Sequence, residues 1–63
     1  MQKPEDYLND REAAKLLSLS PQTLRNWRTQ SRGPAYIKAG RAIRYAVEDL
    51  RDYMTANRVS HNG

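Results

Sequence analysis

Two helix-start signals stand eleven residues apart in this chain, and they restrict its fold more than any other feature. Asn9-Asp10-Arg11-Glu12 has the form of a capping box. The Asn9 side chain can accept from the Glu12 amide while Glu12 reaches back, and acids suit the positive end of a helix. Ala13, Ala14, Leu16 and Leu17 then supply good helix propensity and an apolar stripe. The second signal is Ser20-Pro21. Serine is a preferred N-cap, and proline at the first helical position loses no needed hydrogen bond. The first helix must therefore stop near Leu17 or Ser18. The two helices meet across Ser18-Leu19-Ser20, with Leu19 expected as the buried residue of the turn. A three- or four-residue turn between two short helices is the spacing of a helix-turn-helix.

The second helix is expected from Pro21 to about Gln30 or Ser31, ending before Gly33-Pro34. At about 100° per residue, Leu24 and Trp27 mark its buried side. Opposite them fall Gln22, Arg25, Asn26 and Thr29. These residue types suit base edges: arginine bonds guanine through two nitrogens, and Asn or Gln does the same for adenine. Arg28 projects from the flank, where phosphate is its expected target.

Charge points to the same partner. Thirty-five consecutive residues, Ala13 through Val47, contain no acid and seven bases: Lys15, Arg25, Arg28, Arg32, Lys38, Arg41 and Arg44. Three acids, Glu48, Asp49 and Asp52, follow directly. A one-sign block this long focuses a positive field that attracts polyanions, and the interleaved Leu, Trp, Ile and Tyr argue for a folded segment. Double-stranded DNA is the expected partner.

After Gly33-Pro34 the period changes. Ala35 to Lys38 and Ala42 to Tyr45 each alternate, and Ala39-Gly40-Arg41 separates them, with Gly40 free to take positive φ. A small hairpin results, with Ile43 and Tyr45 inward, Arg44 outward, and Lys38 and Arg41 at or near the tip. Two strands are marginal alone, so the apolar face must pack on the helices, through Tyr36 or Ile37. A basic hairpin beside a helix-turn-helix is a wing. The last helix starts near Val47, with Glu48 and Asp49 in its first turn; Val47, Leu50 and Met54 close the core beside Tyr53. The fold class is therefore mainly α with a small β-hairpin, a winged helix-turn-helix. Its parts are a leader (1–7), the DNA-binding domain (8–55) and a polar tail (56–63).

Other chemistry is excluded on the same grounds. The chain has 63 residues and no cysteine, which removes disulfides and thiolate metal sites. Its one histidine, His61, lies in the polar tail, so no zinc site or nucleophile–base pair forms around it. Gly33 and Gly40 do not make a phosphate loop. No enzyme, metal or cofactor is expected. The N-terminus has no apolar run, so neither a secretory signal nor a membrane span is expected, and a cytosolic setting is.

The ordered segments EAAKLL, SPQTLRNW, RGPAYIKAGRAIRY and VEDLRDYM resemble the excisionase-type winged helix-turn-helix domains, relatives of the MerR DNA-binding domain and of AlpA-like phage regulators. The resemblance covers about Leu8 to Met54. It implies that the helix beginning at Pro21 enters the major groove, with Thr23 and Arg25 at the DNA, and that Lys38, Arg41 and Arg44 are wing contacts; Ser20 and Arg32 flank them. Glu12, Asp49 and Leu50 look structural. Larger MerR-type regulators add a dimerisation helix and effector domain, so a stand-alone unit without a small-molecule effector is expected. The resemblance implies a bacterial or phage protein at the nucleoid, acting as an excisionase or recombination directionality factor of a mobile element. Such a protein bends DNA at attachment-site arms, with a tyrosine integrase and further copies of itself as partners. The alternatives are a small transcriptional activator or repressor, and a protein-interaction module acting as an anti-repressor.

Overall fold

The computed structural model describes residues 6–59. The expected leader residues 1–5 and the tail from 60 onward, His61 included, lie outside the described residues. In chain order the elements are β1 (Tyr7–Leu8), α1 (Asp10–Leu17), α2 (Pro21–Thr29), β2 (Ile37–Ala39), β3 (Ala42–Ala46) and α3 (Val47–Ala56). The architecture is a winged helix-turn-helix. Its three strands form one antiparallel sheet in the order β1-β3-β2.

Both helix starts form as the side-chain chemistry dictates. The Asn9 N–H donates to Glu12 Oε1 at 3.0 Å, and the Glu12 N–H donates to Asn9 Oδ1 at 2.9 Å, so the capping box is complete. Ser20 Oγ accepts from the Thr23 N–H at 3.2 Å, with Pro21 opening α2. A serine in the left-handed region follows each helix, Ser18 capping α1 at φ 59° and Ser31, one residue past the Gln30 cap of α2, at φ 55°. The Leu19 N–H then reaches the Ala14 carbonyl, and the Arg32 N–H the Trp27 carbonyl, each at 2.8 Å. These bonds satisfy carbonyls that a helix end otherwise leaves orphaned. α2 stops at Thr29, short of the expected Gln30 or Ser31.

Ala13, Ala14, Leu24, Tyr45 and Leu50 are fully buried, with Leu8, Leu17, Trp27 and Ile43 packed around them. Alanines at 13 and 14 let α1 lie close against its neighbours. Leu24 and Trp27 face inward as expected, although Trp27 is only half-buried, against Tyr53 at 5.9 Å between ring centroids. Three apolar expectations need correction. Leu19, which follows the left-handed Ser18, is 36% exposed; Leu16 is 42% and Met54 48% exposed. Leu50 holds the α3 core position alone, since Val47 remains half-buried.

The expected leader also needs correction at its end. Tyr7 pairs with Ala46 and Leu8 with Tyr45, so Tyr7 belongs to the sheet and the wing has three strands rather than two. α3 likewise runs one residue past the expected boundary, to Ala56. The wing turn is tighter than the expected three residues: Ala39 pairs with Ala42 across Gly40-Arg41 alone. Gly40 has φ 62° and Arg41 does not have positive φ, the pattern of a type II′ hairpin turn. The register puts Ile37 with Arg44 on the outer face, and Tyr36 meets Tyr45 at 6.1 Å between centroids. Tyr36, not Ile37, therefore serves the inner side.

One carboxylate joins the layers. Asp10, the first residue of α1, is bound by both terminal nitrogens of Arg28 from α2: Nη1 donates to Oδ1 and Nη2 to Oδ2. Arg28 Nη1 also donates to the Tyr45 hydroxyl of β3 at 2.7 Å. Burial pushes the Tyr45 phenol above its ordinary value, and the Arg28 hydrogen bond partly opposes this.

Two predictions follow from this packing. A Cβ on Gly33 (φ 92°) would lie 2.8 Å from Trp27 Cε3, whereas one on Gly40 would meet nothing within 4 Å. Gly33→Ala combines backbone strain with steric overlap and is expected to cost about 2–4 kcal/mol. Gly40→Ala adds strain alone, about 1–2 kcal/mol. Equal losses in urea titrations of the two variants would contradict the Trp27–Gly33 contact. Tyr45 gives the second. Below pH 10, the ordinary tyrosine value, the phenol is neutral in both states and contributes no pH dependence. Above it the unfolded chain releases the proton first, so the folded state binds more protons and stability falls as pH rises through the raised folded value. Tyr45→Phe should lose about 1 kcal/mol at neutral pH and show a shallower decline above pH 10. Parallel declines for variant and parent would refute the assignment.

Candidate nucleic-acid interface

The exposed side of α2 carries the residues expected there. Gln22, Arg25, Asn26 and Thr29 are all exposed, and none is acidic. Gln22 Nε2 donates to Asn26 Oδ1 at 3.0 Å, one turn on, so the two amides hold each other in a fixed orientation. The Thr29 hydroxyl donates to the Arg25 carbonyl at 3.2 Å. Thr23 sits half-buried at the helix start, its hydroxyl 2.9 Å from Ser20 Oγ. Ser20 and Thr23 are thus occupied with capping.

Arg28 differs from its expected role. Its side chain is 17% exposed, gripped by Asp10 and Tyr45 rather than directed at a phosphate from the flank. The Asp10 hydrogen bond raises the guanidinium above its ordinary value, against the opposing effect of burial. The guanidinium also lies 5.7 Å from the Tyr36 ring centroid and 6.0 Å from that of Tyr45. It is a half-buried cation held by Asp10 and Tyr45 that also lines the surface depressions on either side of it.

Between the start of α1, the exposed side of α2 and the wing lies an open groove of about 380 Å³. Arg25 from α2, Arg41 from the wing turn and Arg44 from β3 all line it, together with Arg11 from α1. Arg44 Nη1 donates to its neighbour's Ile43 carbonyl at 2.7 Å, which orients the side chain along the strand. Arg25 is 53% exposed, and its Nε lies 3.6 Å from Asp10 Oδ2. Helix and wing thus present their arginines to one concavity, the arrangement a duplex backbone and a groove edge can meet together.

Two expected contacts stand apart from that groove. Arg32 lies over the Trp27 ring at 5.5 Å and lines a second depression with Ser31 and Tyr36. Lys38 is exposed on β2, paired with Ile43. Arg11 was not expected. It stands between Asp10 and Glu12, so a count of charge along the chain cancels it. The signal available was the capping box, which engages Glu12 and leaves Arg11 pointing elsewhere.

Among the described residues, no helix is long and apolar enough to cross a membrane. Comparison with individually curated proteins gives no significant match. The family model described as "Helix-turn-helix domain" matches residues 7–58, a span that begins at β1 and closes just beyond α3. The chain belongs to this helix-turn-helix family, of the excisionase and AlpA type, and is a DNA-binding helix-turn-helix protein.

Proposed function

We propose that the protein recognises a short specific sequence in double-stranded DNA and acts architecturally, as an excisionase or recombination directionality factor of a mobile element. One observation carries the grip: Arg25 of the second helix and Arg41 and Arg44 of the wing line a single groove. In this reading α2 enters the major groove. Arg25, Gln22 and Asn26 meet base edges, and Thr29 borders them. Arg11, Arg41 and Arg44 hold the flanking phosphates, with Lys38 further along the wing. Arg32 supports the site through the Trp27 ring, and Arg28, at the floor of the groove, supports it through its pairing with Asp10. The acids of α3 face phosphate unfavourably, so that helix stays away from the duplex.

The excisionase role rests on the family. A single module of this kind covers about 600–1,000 Å² of protein surface and reads few base pairs. Copies bound side by side, or a partner such as a tyrosine integrase, then supply the remaining specificity. The reading assigns no chemical step to the chain.

Substitution should separate the roles. Arg25→Ala is expected to cost about 1–3 kcal/mol on a preferred duplex and to relax one base position, with thermal stability nearly unchanged because the side chain is exposed. Arg41→Ala and Arg44→Ala should weaken all duplexes alike, each reducing the salt slope of log K by about 1. Arg28→Ala should instead destabilise the fold. Fluorescence-anisotropy titrations across salt, paired with thermal melts, make the measurement. A parent slope near zero would sink DNA binding. Nuclease footprinting across the protein's own locus then tests the architectural role: protection of attachment-site arms supports it, and protection of a promoter alone replaces it with transcriptional regulation.

A further inference from the structure

Among the described residues, Asp10 is the one acid lining the arginine groove, and its carboxylate meets two guanidiniums. Arg28 takes both oxygens through its terminal nitrogens. Arg25 approaches the same carboxylate from the exposed side, and it does so through Nε, at 3.6 Å. Helix capping does not require Asp10, because Asn9 and Glu12 already complete the box. For DNA affinity alone an acid here is a liability, since it repels phosphate.

The geometry points to Asp10 as a specificity-determining positioning residue that aims Arg25 at guanine. A guanidinium has three nitrogens on one plane. When Nε faces a carboxylate, the Nη pair is left pointing the other way, and that pair is the fork that bonds guanine O6 and N7 together. Asp10 is itself immobilised by the two bonds from Arg28, so it provides a fixed reference for a side chain that is otherwise exposed. Its charge also disfavours the competing pose in which Arg25 turns to a phosphate. The distance exceeds a hydrogen bond in the free protein, leaving the contact to tighten as the groove is filled and water leaves it. This inference rests on the DNA-binding reading and adds the base class read at one position.

The test is a selection from a random duplex library, followed by titration of the selected duplex and of single-base variants of it. The parent protein should select a guanine whose replacement by adenine costs affinity, and Arg25→Ala should abolish that preference. Asp10→Asn keeps an acceptor for Arg28 but removes the charge. It is expected to lower the guanine-over-adenine ratio about fivefold and to tighten binding to random duplex. In the Arg25→Ala background, Asp10→Asn should leave the ratio unchanged, although it shifts the melting temperature equally in both backgrounds. A ratio unaffected by Asp10→Asn, or lowered equally without Arg25, overturns the inference. Should the variant unfold, NMR of the parent decides: the Arg25 Nε–H resonance should move downfield on binding the selected duplex, as the 3.6 Å contact closes to a hydrogen bond, and a resonance that stays in place or moves upfield overturns the assignment. A parent that binds no duplex at all would instead remove the underlying reading, which a sequence-preferring parent with an indifferent Asp10→Asn does not.

Discussion

The clamp of Asp10 on Arg28, with Tyr45 as its third member, is the contact on which the remaining geometry depends. It joins the first turn of α1 to the last turn of α2, and both to the central strand of the wing. Among the described residues the fully buried core holds two alanines, two leucines and one tyrosine. A core that small resists collapse but specifies relative orientation poorly. A bidentate arginine–carboxylate pair is directional, so it supplies the angle between helices that apolar contact leaves loose. Such a pair adds little net stability, yet removal of one partner strands the other in a poorly solvated place. Tyr45 suits the junction because its ring fills the core while its hydroxyl reaches the polar rim.

The wing is held from its root in the same economical way. β3 is the middle strand, paired to β1 on one side and to β2 on the other. Tyr7 and Leu8 therefore fasten the hairpin base to the segment that enters α1. The far end is different in kind. Gly40 and Arg41 form a two-residue turn whose surroundings are open, so the tip can adapt while the base stays fixed. On the other side of α2, Gly33 lets the loop descend onto Trp27, and Arg32 covers the ring from outside. That contact sets where the wing begins.

Local chemistry was readable from the residues, and tertiary partnership was not. The capping box, the Ser20-Pro21 start, the helix order and the existence of a hairpin follow from hydrogen bonds made within a few residues, and they form as expected. Leu19 and Met54 have the right character for a core, yet they are exposed, because burial is decided by tertiary neighbours that local pattern does not name. A β1 of two residues has no periodicity to detect; its pairing is created by β3. Arg28 shows the limit most clearly. Spacing put it on the flank of α2, yet its partner lies eighteen residues earlier and was assigned only a helix-end role. Counting charge treats every arginine as surface.

That distinction changes how the basic block should be understood. Of its members, Arg32 is stacked on an aromatic ring, whereas Arg25, Arg28, Arg41 and Arg44 line one groove with Arg11 from outside the block, and Arg28 alone among them is paired through both terminal nitrogens with Asp10. The field is therefore narrower than the sequence implies, and better aimed. Arg25 and Arg28 stand three residues apart on α2, close enough on the helix surface for one carboxylate to address both. The inner arginine holds the carboxylate still, and the carboxylate in turn orients the outer arginine. A contact that orients the helices thereby also orients the side chain presented to the groove, so the stability of the fold and the direction of the reading arginine share a single physical origin.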